Sequence, residues 1–216
     1  MLGLALIAFM GMRDHAKQRT MRRDLLRQSA GLLERSIINH GGDGFPSLEG
    51  RHIGRYVRAE FVPDTMTIRR LPQLWLSVSR IEPQPENSEF AILVRPSGTE
   101  FYSLTARYEH RLEPPAGLPA EILVRGNSLA AQKHLDRIGS TIGKILADPK
   151  VKEIGVTKKG LRLVWQASEG RRGEHLLLRQ CVFDGASVTR SDFGKLLAYL
   201  DELSLALTGA AEVRAT

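Results

Sequence analysis

The chain has 216 residues, 42% of them hydrophobic and 25% charged, which is ordinary globular composition and excludes a largely disordered chain. Its net charge of +7 is uneven: up to His40 seven basic residues stand against three acidic ones, and beyond it 24 stand against 21, which excludes a strongly basic globular domain. A single cysteine, Cys181, excludes an internal disulfide framework and reads as a buried thiol in an apolar run.

The first twelve residues, MLGLALIAFMGM, carry no charge, and basic residues follow at once. A secretory signal places its charge before the apolar core, so export fits poorly. A spanning helix needs about 20 apolar residues. Twelve cover only about 18 Å at 1.5 Å per residue. The pattern matches the second half of a transmembrane helix. Residues 1–12 are therefore read as a partial membrane anchor using Leu2, Leu4, Leu6, Ile7, Phe9 and Met10. Arg13, Lys17, Arg19, Arg22 and Arg23 then form the cytoplasmic flank that meets anionic headgroups. The alternatives are an apolar helix buried against protein, a cleaved signal, and a solvated basic helix face.

Residues 13–44 read as a basic amphipathic helix and glycine linker. Met21, Leu25, Leu32, Leu33, Ile37 and Ile38 recur at near-helical spacing, predicting one long helix over 14–39 that Gly41 and Gly42 close. From Gly54 the period becomes two: Val57, Ala59 and Phe61 alternate with Tyr56, Arg58 and Glu60. Strands are predicted there, over Thr65–Arg70, in QLWLSVS and in FAILVRP, with Phe101–Leu112 assigned to strand as well.

The proline-rich EPPAGLP, 113–119, marks a possible division of the 45–216 domain into two lobes. Beyond it come strand EILVRG, a helix capped by Asn127 or Ser128 and ended by Asp148-Pro149, a hairpin of KEIGVT and LRLVWQA, strand HLLLRQCVF, and a final helix capped by Ser191. The echo of AILVRP in EILVRG hints at a repeated unit. The predicted class is α+β: antiparallel sheet, the helices of the C-terminal half packed on one face, preceded by a long N-terminal helix.

The segments LEGRHIGRYVRAEF, LPQLWLSV, PAEILVRGN, DPKVKEIGVTKKGLRLV and LLLRQCVF together resemble a group of uncharacterised bacterial membrane-anchored proteins. The resemblance implies an N-terminal transmembrane helix, a basic linker and a small α+β domain of unknown function. It implies no activity and no catalytic residue.

Catalytic motifs find no support. GSTIGK lacks the spacing of a phosphate loop and sits in a helical pattern, DFG at 192–194 opens a helix, and NHGGDG at 39–44 reads as a helix stop. Six scattered histidines and one cysteine give no metal-ligand spacing, and no cofactor is called for. The leading expectation is a membrane-tethered, non-enzymatic interaction or regulatory domain at the inner membrane, facing the cytoplasm, with an unknown protein partner and unknown oligomeric state. The first alternative is a nucleic-acid binder using Arg51, Arg55, Tyr56, Arg58, Arg69 and Arg70 as a basic and aromatic strand face. Near charge balance and the lack of a nucleic-acid-binding motif weigh against it. The second is an enzyme without a recognised signature.

Overall fold

The structure, a computed structural model, describes residues 22–41, 44–65, 71–84, 88–170, 183 and 186–212. Among the described residues nine strands, β1 (Glu34–His40), β2 (Pro46–His52), β3 (Arg55–Asp64), β4 (Gln73–Ile81), β5 (Phe90–Val94), β6 (His110–Arg111), β7 (Ile122–Gly126), β8 (Val151–Thr157) and β9 (Gly160–Glu169), form one sheet, while most of each of the expected strands Thr65–Arg70 and HLLLRQCVF lies outside the described residues. Their order is β1-β2-β3-β4-β9-β8-β5-β7-β6, with every pairing antiparallel. The helices are α1 (Arg27–Ala30), α2 (Ala131–Arg137), α3 (Gly139–Leu146) and α4 (Arg190–Glu212), with a 3-10 turn at Leu104–Arg107.

This corrects the expected fold. The molecule is mostly a single antiparallel sheet with one long C-terminal helix and short helices. The long N-terminal helix is overturned by β1, which pairs with β2 over residues that were expected to be helical. The physical reason lies in the glycines. They carry the chain across a hairpin, with Gly44 at φ 80° and the Gly41 N–H donating to the Phe45 carbonyl. Ile37 and Ile38, β-branched residues that favour strand, can then pair with Glu49 and Leu48 instead of extending a helix.

Alternation sorts the sheet into two faces. Val57, Ala59, Phe61, Leu74, Leu76, Val78, Ile154, Leu161, Leu163, Trp165, Phe90 and Ile92 point to one side and form the main core. Helix α4 covers them with Phe193, Leu196, Leu200, Leu203 and Leu207; α2 and α3 add Leu135, Ile142 and Ile145. The cap of α4 is Thr189, not Ser191. Its backbone and hydroxyl donate to Asp192 Oδ2 while the Asp192 N–H donates back to the hydroxyl, as in a capping box.

A buried polar network fastens α4 to the strand ends. Arg80 donates to Glu82, to the Asp201 carboxylate and, at 2.8 Å, to the Leu200 carbonyl. His52 Nε2 lies 3.1 Å from Asp201 Oδ2, and Ser204 donates to Glu82.

The opposite face carries Tyr56, Arg58, Glu60, Val62, Trp75, Ser77, Ser79, Ile81, Arg162, Val164, Glu153, Ala91 and Leu93, by strand alternation and register. No long helix among the described residues covers it. Part of it lies under the segment from Ser97 to Tyr108; Phe101–Leu112, assigned to strand from the sequence, instead turns at Phe101 and Tyr102 into the 3-10 helix and is strand only at His110–Arg111.

Candidate functional site

The site is built by that segment, and two buried carboxylates staple it down. Glu100 Oε1 accepts from the Ser97 N–H at 2.7 Å and from Lys152 Nζ at 2.8 Å, and Glu100 Oε2 accepts from the Gly98 N–H at 2.9 Å. Burial alone would raise the Glu100 carboxyl, but the Lys152 and Ser97 donors outweigh it and hold it at about 2. Glu153, wholly buried in β8, accepts from the Ser103 hydroxyl and, at 3.0 Å, from the Leu104 N–H. Burial pushes its carboxyl upward against the pull of Arg162, whose Nη1 lies 3.7 Å away.

Arg162 ties the turn to the sheet, donating to the Tyr102 carbonyl at 3.0 Å and to Ser77 Oγ at 3.1 Å. Tyr102 packs on Trp75 and Val164, with the two aromatic rings 5.8 Å apart. Leu104 descends onto Gly155, where an added Cβ would stand 2.5 Å from Leu104 Cδ1. Glycine is what lets the turn sit this close to β8.

Beside the stapled turn runs an open groove of about 460 Å³. Glu60, Val62, Ser79 and Ile81 line it from β3 and β4, Phe101 and Arg107 from the turn, and Thr157, Lys159 and Arg162 from the β8–β9 hairpin. Two large apolar side chains stand at it uncovered, Phe101 at 60% and Ile81 at 54% exposure. The register sets Arg162 opposite Ser79 within the groove and Arg58 opposite Ser79 at its border. A second hollow lies on the other flank of the turn, between Leu93, Leu123 and Arg125, and Phe101 borders both.

The expected site residues divide. Leu2, Leu4, Leu6, Ile7, Phe9, Met10, Arg13, Lys17 and Arg19 lie outside the described residues, as do Arg69 and Arg70. Arg22 is set 5.0 Å over the ring of Phe45 and Arg23 is exposed. Arg51, Tyr56 and Arg58 come together on the open face, where Glu49 and Glu60 accompany them: Arg58 Nη2 is 3.0 Å from Glu60 and its Nε 3.7 Å from Glu49. A hydrogen bond to Glu49 and burial raise the Tyr56 phenol. Arg55 points to the other side and pairs with Glu82.

Phe101, Ile81, Arg107, Lys159 and Arg162 escaped the sequence reading. Arg162 had a visible signal, as the one basic residue alternating within LRLVW; Phe101 had none, because only the turn geometry leaves it exposed. Among the described residues no group of three or more His, Cys, Asp or Glu is placed to hold a metal ion.

The expectation of a transmembrane helix is also corrected: no helix among the described residues is long and apolar enough to cross a membrane. No protein-family model and no curated protein matches the sequence. Among solved structures the chain is similar to the crystal structure of the mycobacterial trehalose monomycolate transport factor A, TtfA, at a TM-score of 0.49 and 10% identity, over 86% of this chain and 96% of that one.

Proposed function

We propose that this chain is a non-enzymatic protein-interaction domain that docks a segment of a partner protein on the open face of its sheet, in the groove beside Phe101. The observation that carries the reading is the pairing of rigidity with exposure. Four hydrogen bonds to Glu100 and two to Glu153 hold a turn whose tip residue, Phe101, remains 60% exposed. An aromatic anchor on a preorganised support loses little entropy on binding. The carboxylates nearest the groove are committed elsewhere, Glu100 and Glu153 to the turn and Glu60 to Arg58, which supports binding over acid and base chemistry.

The test is a photo-crosslinking amino acid at position 101 in the full chain, identification of the adduct, and hydrogen exchange on the complex rebuilt from purified proteins. The expected result is slowed exchange at 99–107 and 157–162. Protection confined to α4 or to β1 would overturn the reading.

A further inference from the structure

We infer that the segment taken by this groove is acidic, with an apolar side chain that seats against Phe101 and Ile81; the inference rests on the docking reading above and specifies its occupant. The argument is one of charge. Arg107, Lys159 and Arg162 line the groove, and Arg58 stands at its border. Among the described residues Arg107 and Lys159 have no ion-pair partner, and both are exposed. Arg162 is largely covered and held by Glu153, the Tyr102 carbonyl and Ser77, so the exposed positive charge of the groove comes from Arg107 and Lys159.

Glu60 is the single carboxylate among the lining residues, and Arg58 offsets it at 3.0 Å. With Arg58 and Arg162 engaged within the sheet, Arg107 and Lys159 are the lining cations that meet an incoming carboxylate. The exposed Phe101 and Ile81 supply the apolar half of the recognition. A polyanion without apolar side chains would leave both uncovered, so a peptide fits better than a nucleic acid.

The experiment uses the full chain and fluorescence anisotropy with four probes: the labelled peptide EEFEELEE, its lysine counterpart KKFKKLKK, its neutral counterpart QQFQQLQQ, and a short oligo(dT). The proteins are wild type, the double variant Arg107→Glu, Lys159→Glu, and Phe101→Ala; thermal melts confirm that each folds. The acidic peptide is expected to bind best, to weaken as salt rises, and to lose about tenfold in affinity with the charge-reversed protein. Phe101→Ala is expected to weaken it too. Equal binding of the neutral peptide, still dependent on Phe101, would overturn the acidic preference while leaving the groove in place. Binding indifferent to all three substitutions would overturn the groove itself, and tighter binding of oligo(dT) than of any peptide would replace both with nucleic-acid recognition.

Discussion

Lys152 Nζ stands 2.8 Å from Glu100 Oε1, with each side chain only 4% exposed. Removing one member of such a pair strands the other's charge out of water. Lys152→Met is therefore expected to cost about 3–5 kcal/mol. Urea melts measure the loss, and hydrogen exchange should show 97–105 opening first, since Lys152 also donates to the Arg95 carbonyl at the segment's root. Unchanged exchange there would mean that the turn stands without its staple.

The same pair sets a pH dependence. The Glu100 carboxyl, held at about 2 against an ordinary value of 4.5, is deprotonated more readily in the folded state than in the unfolded one. Its contribution is fully present above 4.5 and is lost as pH falls from there toward about 2. A shift of that size corresponds to roughly 3 kcal/mol. Denaturant melts of wild type and Glu100→Gln should differ most above pH 4.5 and converge only as pH approaches about 2; a gap independent of pH would refute the assignment.

Gly160 opens β9 against the end of β4, and a Cβ there would lie 2.0 Å from the Arg80 carbonyl oxygen and 2.9 Å from the Glu82 nitrogen. Both obstacles are backbone, so neither can swing aside. Gly160→Ala is expected to destabilise by more than about 2 kcal/mol, whereas Gly209→Ala, with nothing near its Cβ, should be neutral or slightly favourable. Paired thermal melts decide.

Tyr102 is buried with no hydrogen-bond partner for its hydroxyl among the described residues, and burial followed by Glu100 and Asp64 pushes that phenol well above its ordinary range. Tyr102→Phe removes an unsatisfied polar group without changing the ring on Trp75. It should leave stability unchanged or raise it by up to about 1 kcal/mol. A spectrophotometric titration should show one fewer tyrosine ionising only with alkaline unfolding. A loss of more than about 1 kcal/mol would reveal a partner for the hydroxyl.

What the sequence disclosed followed burial pattern. Val57, Ala59 and Phe61, or Leu161, Leu163 and Trp165, alternate because one side of their strands faces α4 and the other an open surface, and those strands lie where the period placed them. The echoing AILVR and EILVR runs fall on β5 and β7, which pair with each other, Ile92 opposite Val124. The N-terminal stretch misled because Leu25, Leu33 and Ile38 do face the core, but from the turn before a short helix, the bend after it and then strand β1, so their spacing matched a single helix by coincidence. The groove was illegible for a different reason. Phe101, Ser79 and Arg162 are far apart in the chain, and only the β4–β9 register with the turn laid over it brings them together.

Strands β4 and β5 are neighbours in the chain, yet in the sheet β9 and β8 stand between them. During synthesis this means that β1–β4 and β5–β7 emerge as two separate blocks, each with a bare hydrogen-bonding edge; β8 can close the edge of β5, but that of β4 stays open until β9, ending at Glu169, has left the ribosome. Helix α4, which covers the shared apolar face, arrives later still. The nascent chain thus spends most of its translation with the centre of its future sheet unpaired, a dependence on long-range contacts that slows folding.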